Sequence, residues 1–445
     1  MKNIINNAVD KYRELILAAE RQLWSTPETG FKEYKTSAYM AEQFEKLGYK
    51  LTYAEGITGF YTVVDTGREG PEVLILGELD SVICPTHPEA DKETGAVHAC
   101  GHHAQCAGLL GIAAALTEKE LLDTLSGRIR LCAVPAEELL EIEYRTELKS
   151  KGIIKYLGGK SEFLRRGYFD GVDIALMVHT GGSGFNALKG MVGCVTKRII
   201  YKGRAAHGGE PHLGINALYA ANCGLNAINA IRETFTENDR IRVHPIITNG
   251  GAMVNAIPET VTLESYVRGK TFEAIKKENR KVNRALIGAA LSIGANIEII
   301  DTPGYSPLQH TQDMVDVARD ALALVLPDET FRYYDMYEGA STDMGDMCSL
   351  FPTVHPNCPG SIGSGHGNNY YIKDPEAACV KSAKWQLGML YTLLGNGAER
   401  GEQIVREFKP LFASKEEFLA YQDSLCCSGD RIIYKEDGNA DVKLV

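Results

Sequence analysis

The sequence has no apolar stretch of the roughly 18 to 20 residues that a membrane-spanning helix needs. Its longest apolar run, around 107–116, falls well short of that and reads as a buried helix. Residues 1–14 are polar and mixed in charge, without the apolar core of a secretory leader. A cytoplasmic protein with no membrane partner is therefore expected. Basic runs are missing too: 47 Lys plus Arg stand against 58 Asp plus Glu, a net charge of −11. Phosphate contacts need clustered cations, so no nucleic-acid partner is expected. The eleven cysteines include no Cys-x-x-Cys pair and are irregularly spaced. An odd, scattered set fits reduced thiols rather than a disulfide framework. Internal repeats and low-complexity tracts are absent as well.

What is present is an ordinary globular composition, 44% hydrophobic and 24% charged over 445 residues. That length accommodates two or three domains. Residues 4–48 carry helical spacing, with Gly48 as a stop. Strand-like runs at 61–65, 73–76, 129–134 and 174–179 alternate with helical stretches at 107–122 and 149–166. That alternation predicts an α/β fold, a mostly parallel sheet covered by helices. The pattern changes near 190. Strands at 194–201, 243–249, 260–268 and 295–300 with helices at 216–233 and 272–291 follow the ferredoxin-like order βαββαβ. Helices at 314–326 and 375–394 come after it. The expected division is a catalytic domain in two parts, 1–190 and 306–445, with an inserted ferredoxin-like domain over 191–305. The polar tail beyond 396 has no readable assignment.

Chemistry-bearing residues cluster at the predicted strand ends. His98-Ala99-Cys100-Gly101-His102-His103 precedes the apolar helix, expected to begin near Ala107. Thiolate and imidazole are donors suited to Zn, Mn, Co or Ni, and Gly101 permits a tight loop between Cys100 and His102. Asp80 ends Gly77-Glu78-Leu79-Asp80, and adjacent Glu137-Glu138 follow the run 129–134. Two neighbouring carboxylates repel unless a cation neutralises them. His179 ends the run 174–179, and His366 lies in a glycine-rich loop, with His355 and His310 as its competitors. Each has a plainer reading alone: Asp80 a turn or cap, the glutamates a solvated helix start, His179 a structural histidine. Together Asp80, Cys100, His102, Glu137, Glu138, His179 and His366 supply the donors that two metal ions require. Two other readings remain open, a metal-free, catalytically idle relative and a thiol enzyme built on Cys100.

The sequence resembles the aminoacylase/carboxypeptidase family of co-catalytic metallopeptidases, in the amidohydrolase branch with a His-x-Cys-Gly-His motif. The resemblance runs from Trp24-Ser25-Thr26-Pro27-Glu28-Thr29-Gly30-Phe31 and Glu33, through His98–His102, Ala136-Glu137-Glu138 and Val178-His179, to about residue 392. Ala205-Ala206-His207, Asn216-Ala217-Leu218, Gly250-Gly251 and Asn255 to Arg268 are similar to the family's inserted domain. Gly158-Gly159-Lys160 and Ser341-Thr342-Asp343-Met344-Gly345-Asp346 resemble the p-aminobenzoyl-glutamate hydrolase B-like subgroup. The resemblance implies a zinc-exopeptidase-like fold and hydrolysis of an N-acyl amino acid, an aminobenzoyl-glutamate-like conjugate or a dipeptide. It implies two divalent ions per chain, manganese or zinc with cobalt or nickel as alternatives, held by Cys100, His102, Glu138, His179 and His366. Glu137 would be the general base and Asp80 would orient a ligand. His207 would act across a homodimer formed through the inserted domain, or across a pair with a homologous subunit, and Asn255 and Arg268 would hold a substrate carboxylate. Three features depart from the pattern: His103 stands where Asp or Asn is usual and would be an extra ligand or alter metal preference, residues 141–155 are longer, and the loop around His366 is richer in Gly and Asn.

Overall fold

The strand Glu72–Glu78 is buried at every position, which only a sheet covered on both faces allows. The computed structural model describes residues 1–445. In it this strand lies inside a six-stranded sheet ordered Thr52–Tyr53, Phe60–Asp65, Arg128–Val134, Glu72–Glu78, Ile174–Leu176, Thr353–Val354. The last four run parallel to one another, and the first two are antiparallel at one edge. The mostly parallel α/β sheet predicted from strand–helix alternation is what forms.

Helix His102–Ala115 connects Glu72–Glu78 to Arg128–Val134 and is buried along its whole length. Small residues let it approach closely. A Cβ on Gly111 would come 2.5 Å from Ile16 on helix Arg13–Trp24, and one on Gly77 would come 3.1 Å from Leu109. Glycine is therefore the residue that lets strand, helix and outer helix stack at these distances.

Two compact units result. The first holds Met1–Gly190, Leu308–Met336 and Thr342–Lys415; the second holds Met191–Pro307, Tyr337–Ser341 and Glu416–Val445. The stretch 306–445 is thus shared between the units.

In the second unit, strands Arg242–Val243, Thr260–Gly269, Gly193–Lys202 and Asn296–Pro303 lie side by side, all antiparallel, with Ile246–Asn249 also pairing Thr260–Gly269. Helices Ala217–Ile231 and Phe272–Ile293 pack on this sheet. Alternating burial along Asn296–Pro303 marks a sheet with one buried face. Asn216 caps the first helix by accepting from the Leu218 and Tyr219 amides, and Thr271 caps the second through Ala274. The ferredoxin-like order is therefore present. The end of the tail, Glu416–Val445, joins this unit: Ile432 is buried in its core, and Asp301 bridges Cys427. Hairpin Ile432–Tyr434 with Ala440–Val442 ends it.

Several expected elements differ. The apolar helix starts at His102, not near Ala107, so His102 and His103 occupy its first turn rather than a loop. The stretch 149–166 is broken into Ile142–Ser150 and Gly159–Arg165. The run 174–179 is also two elements. Ile174–Leu176 belongs to the central sheet, while His179–Gly181 pairs in parallel with Asn357–Pro359 in a second sheet.

Candidate active site

The acidic residues come from the ends of two neighbouring parallel strands. Glu78 closes Glu72–Glu78, and Asp80 follows it with no exposure. Beyond Arg128–Val134 the chain turns at Ala136, whose φ is 57°, and this puts Glu137 and Glu138 beside Asp80. The turn is held from behind. Ala136 donates its amide to Glu33 Oε1 at 2.8 Å, and Thr58 donates to Glu33 Oε2 at 2.5 Å. Arg145, on the longer segment after Glu141, donates to the Glu138 carbonyl and, at 2.6 Å, to that of Leu157.

Cys100 and His102 flank Gly101, whose φ is 94°. A Cβ there would lie 2.2 Å from Thr180 Oγ1 and 2.4 Å from the Tyr370 hydroxyl. Only glycine combines that φ with that approach. From this corner the Cys100 thiol reaches His179 Nε2 at 3.4 Å. His366 arrives on its loop with its Nε2 2.8 Å from Glu138 Oε1.

Hydrogen bonds orient the imidazoles. His102 Nδ1 faces the Asp80 carbonyl at 3.0 Å and Oδ1 at 3.2 Å. Both are acceptors, so Nδ1 carries the proton and Nε2 faces Glu78, 3.2 Å away. His179 Nδ1 likewise donates to the Thr180 carbonyl at 2.8 Å, leaving Nε2 toward Cys100. Asp80 uses its other oxygen to accept the Glu138 amide at 2.8 Å.

Four groups of three donors emerge, two built on Cys100 and two, His102 with Glu137 and Glu138 and Glu78 with Glu137 and Asp343, on the carboxylates. Cys100, His102 and His179 bring theirs within 4.8 Å of one another, and so do Cys100, Glu138 and His366. Cys100 belongs to both. Thiolate, imidazole and carboxylate in this mixture suit zinc and its first-row neighbours, and His102 and His179 each have the second hydrogen bond typical of a metal-bound histidine. The donor set therefore fits divalent ions.

The charges are consistent with this chemistry. Burial would raise the Cys100 thiol, but His102 and His179 outweigh it and bring the thiol down to about 6. Burial, then the nearby carboxylates of Glu78, Glu138 and Asp343, push Glu137 well above the usual range. Hydrogen bonds to Cys100 and Glu138 raise His366 to about 11. Burial opposes ionisation of Glu78, yet Lys160, His102 and His355 bring it down to about 2.

The competitors point elsewhere. His355 is buried with its amide on His310 Nε2 and its Nδ1 on the Met177 carbonyl, and burial lowers it to about 3. His103 faces Glu20, 3.4 Å away, and packs on Trp24 and His98. The other expected residues lie in the second unit. His207 is exposed and bridges Ala256, and the Gly208 amide donates to the Asn255 carbonyl at 2.7 Å, which brings the two segments together. Arg268 lies on Thr260–Gly269, donates to the Gly339 carbonyl at 3.2 Å, and is paired in register with Arg242. Partial burial, then Arg268, Arg232 and Arg242, lower the His244 pKa, which marks a cationic patch.

Sequence reasoning gave no role to Glu33, Glu78, Arg145, Lys160 or Asp343. Glu78 had a visible signal, two residues before Asp80 beyond the same apolar run.

The chain matches known proteins in sequence and in fold. A model of peptidase family M20/M25/M40 matches residues 74–392. N-acetyl-L-cysteine deacetylase of Bacillus subtilis is 27% identical over 323 residues, 69% of this chain and 71% of that protein. A p-aminobenzoyl-glutamate hydrolase subunit from Escherichia coli is 28% identical over 309 residues, 66% of this chain and 59% of its own length. Among solved structures, a dinuclear metal-binding peptidase of the M20 family from Bacillus subtilis superposes with a TM-score of 0.63 at 20% identity, covering 86% of this chain and 99% of that one. An aminobenzoyl-glutamate utilization protein from Klebsiella pneumoniae gives 0.65 at 18%, covering 86% and 98%. At these identities the structural likeness is one of fold.

Proposed function

The chain belongs to peptidase family M20/M25/M40, and on that premise we propose that it cleaves the amide bond of a small carboxylate-bearing substrate with two bound divalent ions. The substrates are N-acyl amino acids, aminobenzoyl-glutamate-like conjugates or dipeptides. The observation that carries this reading is the pair of donor triads sharing Cys100. Cys100, His102 and His179 would hold one ion, and Cys100, Glu138 and His366 the other, manganese or zinc ahead of cobalt or nickel. Such ions polarise a scissile carbonyl and lower the pKa of water from about 15.7 toward about 7.

The protein's own groups do the rest. Asp80 fixes the His102 tautomer and the Glu138 backbone together. Glu137, buried beside the triads, takes the proton of the attacking water and hands it to the leaving nitrogen. A positioned base of this kind contributes about 10²- to 10⁴-fold. In the second unit, Arg268 with Asn255 receives the substrate carboxylate, since a guanidinium fork pairs with it through two parallel bonds. The cationic patch around His244 supports that assignment. His207 from a second copy, in a dimer formed through the inserted domain, donates to the oxyanion, a contribution of about 3 kcal/mol. Pairing with a homologous subunit would supply the same group.

The test is metal content per chain together with hydrolysis of a panel of N-acyl amino acids, aminobenzoyl-glutamate and dipeptides, before and after chelation. Two ions, activity that follows them, and a Glu137→Gln variant that keeps its metal but loses at least about 100-fold in kcat are expected. A folded protein that takes up no metal would overturn the reading.

A further inference from the structure

Next to the donor triads, one ammonium sits among three carboxylates. Lys160, on helix Gly159–Arg165, has no exposure. Its Nζ lies 2.6 Å from Glu78 Oε1 and also pairs with Asp343 Oδ1. Glu78, Glu137 and Asp343 bring carboxylate oxygens within 4.8 Å of one another, the spacing of a cation's ligands. All three are buried. An all-oxygen set of this kind is what Mg, Mn and Ca choose.

The position of the ammonium is set by the backbone. The Lys160 amide donates to Asp343 Oδ2 at 3.2 Å. A Cβ on Gly159 would fall 1.6 Å from the Pro135 carbonyl oxygen. The start of this helix is therefore pressed against the turn that carries Glu137, where no larger residue fits. Glu78 is held between two partners. One oxygen meets Lys160, and the other lies 3.2 Å from His102 Nε2, the nitrogen aimed at the triads.

We propose that Lys160 is a positioning residue that serves as a resident cation, filling the place a third divalent ion would take among Glu78, Glu137 and Asp343. A tethered charge cannot exchange or be chelated. It ties down one oxygen of Glu78, whose other oxygen stays beside His102 Nε2, and leaves Glu137 available to carry a proton instead of becoming a ligand. The inference rests on the two-ion reading above.

Lys160→Met removes the charge and ends one atom short, vacating the place of Nζ among the carboxylates. Manganese is counted by atomic emission after saturation and gel filtration, and the cobalt-substituted proteins are compared by visible absorption. The expected result is two ions in the wild type, three in Lys160→Met and two again in Lys160→Arg. The extra cobalt should add weak bands of an oxygen-only site while the thiolate band of Cys100 stays. Two ions in a folded Lys160→Met protein would overturn the proposal whatever its activity. A wild type that holds some other number of ions would instead overturn the two-ion reading. The charge-balanced Lys160→Met/Asp343→Asn protein keeps the test decisive if the single variant fails to fold. It should hold two ions and lose roughly 10- to 100-fold in kcat at unchanged KM, the range for removing a partner that orients a ligand. Wild-type kcat in that protein would overturn the proposal.

Discussion

Asp80 joins two parts of the candidate site with one side chain, a histidine through Oδ1 and a backbone amide through Oδ2. Behind it, Glu33 is raised to about 8 by burial and by Asp80, against the opposing bonds from Thr58 and Ala136. An unfolded glutamate ionises near 4.5, so between there and about 8 the folded state holds a proton that the unfolded state has lost. The stabilisation linked to that proton is present below 4.5 and drains away as pH rises through about 8. In chelated protein, Glu33→Gln should flatten the fall in melting temperature across that window, because an amide mimics the neutral acid. An unchanged slope would show that Glu33 is not the group responsible. Residues of this kind explain what the sequence could disclose about the site. Cys100, His102, Glu137 and Glu138 stand in short motifs beside apolar runs and are recognisable in line. Glu33 and Asp343 act from far along the chain, and only folding brings them behind the motif residues.

At the scale of the element, the decisive feature is the start of helix His102–Ala115. Its residues are apolar almost all round, so there is no amphipathic edge from which to read its beginning. Two histidines looked like loop, yet they are buried in the first turn, one against Asp80 and the other against Glu20. The run 174–179 hid a break for the related reason that Met177 and Val178, which link its two parts, are as buried as Ile174–Leu176, and a change of sheet leaves no mark in hydropathy. Gly101 makes the corner possible. Gly101→Ala should cost about 1–2 kcal/mol for the left-handed backbone, and more for displacing Thr180 and Tyr370. Because the displaced corner carries Cys100, metal retention after dialysis should fall along with the melting temperature. Full metal retention in the variant would show that the corner is more yielding than these contacts indicate.

Over the whole molecule, each unit is assembled from separated stretches of chain. The alternation of strands and helices made the first sheet legible, and the βαββαβ order did the same for the second. The tail was opaque because its few apolar residues are split between two cores, Ala398 and Ile404 in the first unit and Ile432 in the second. Ile432→Ala should therefore cost about 2–5 kcal/mol. Amide exchange should quicken in Gly193–Lys202 and Asn296–Pro303 while Glu72–Glu78 keeps its protection. Uniform loss across both sheets would show that the tail stabilises more than the unit it packs on. No helix is long and apolar enough to cross a membrane.

The place of Ile432 in that core also bears on how the chain is made. Synthesis runs from the N-terminus, and domains usually fold as their last residue emerges. Here neither unit is finished when its first stretch leaves the ribosome: the central sheet waits for Thr353–Val354, and the inserted unit waits for the hairpin that follows Asp430. Completion of each unit is thus deferred until these late segments emerge, with apolar faces open in the meantime. A ribosome stalled just before the hairpin should hold a nascent chain that chaperones still grip, and release from them should coincide with emergence of the hairpin.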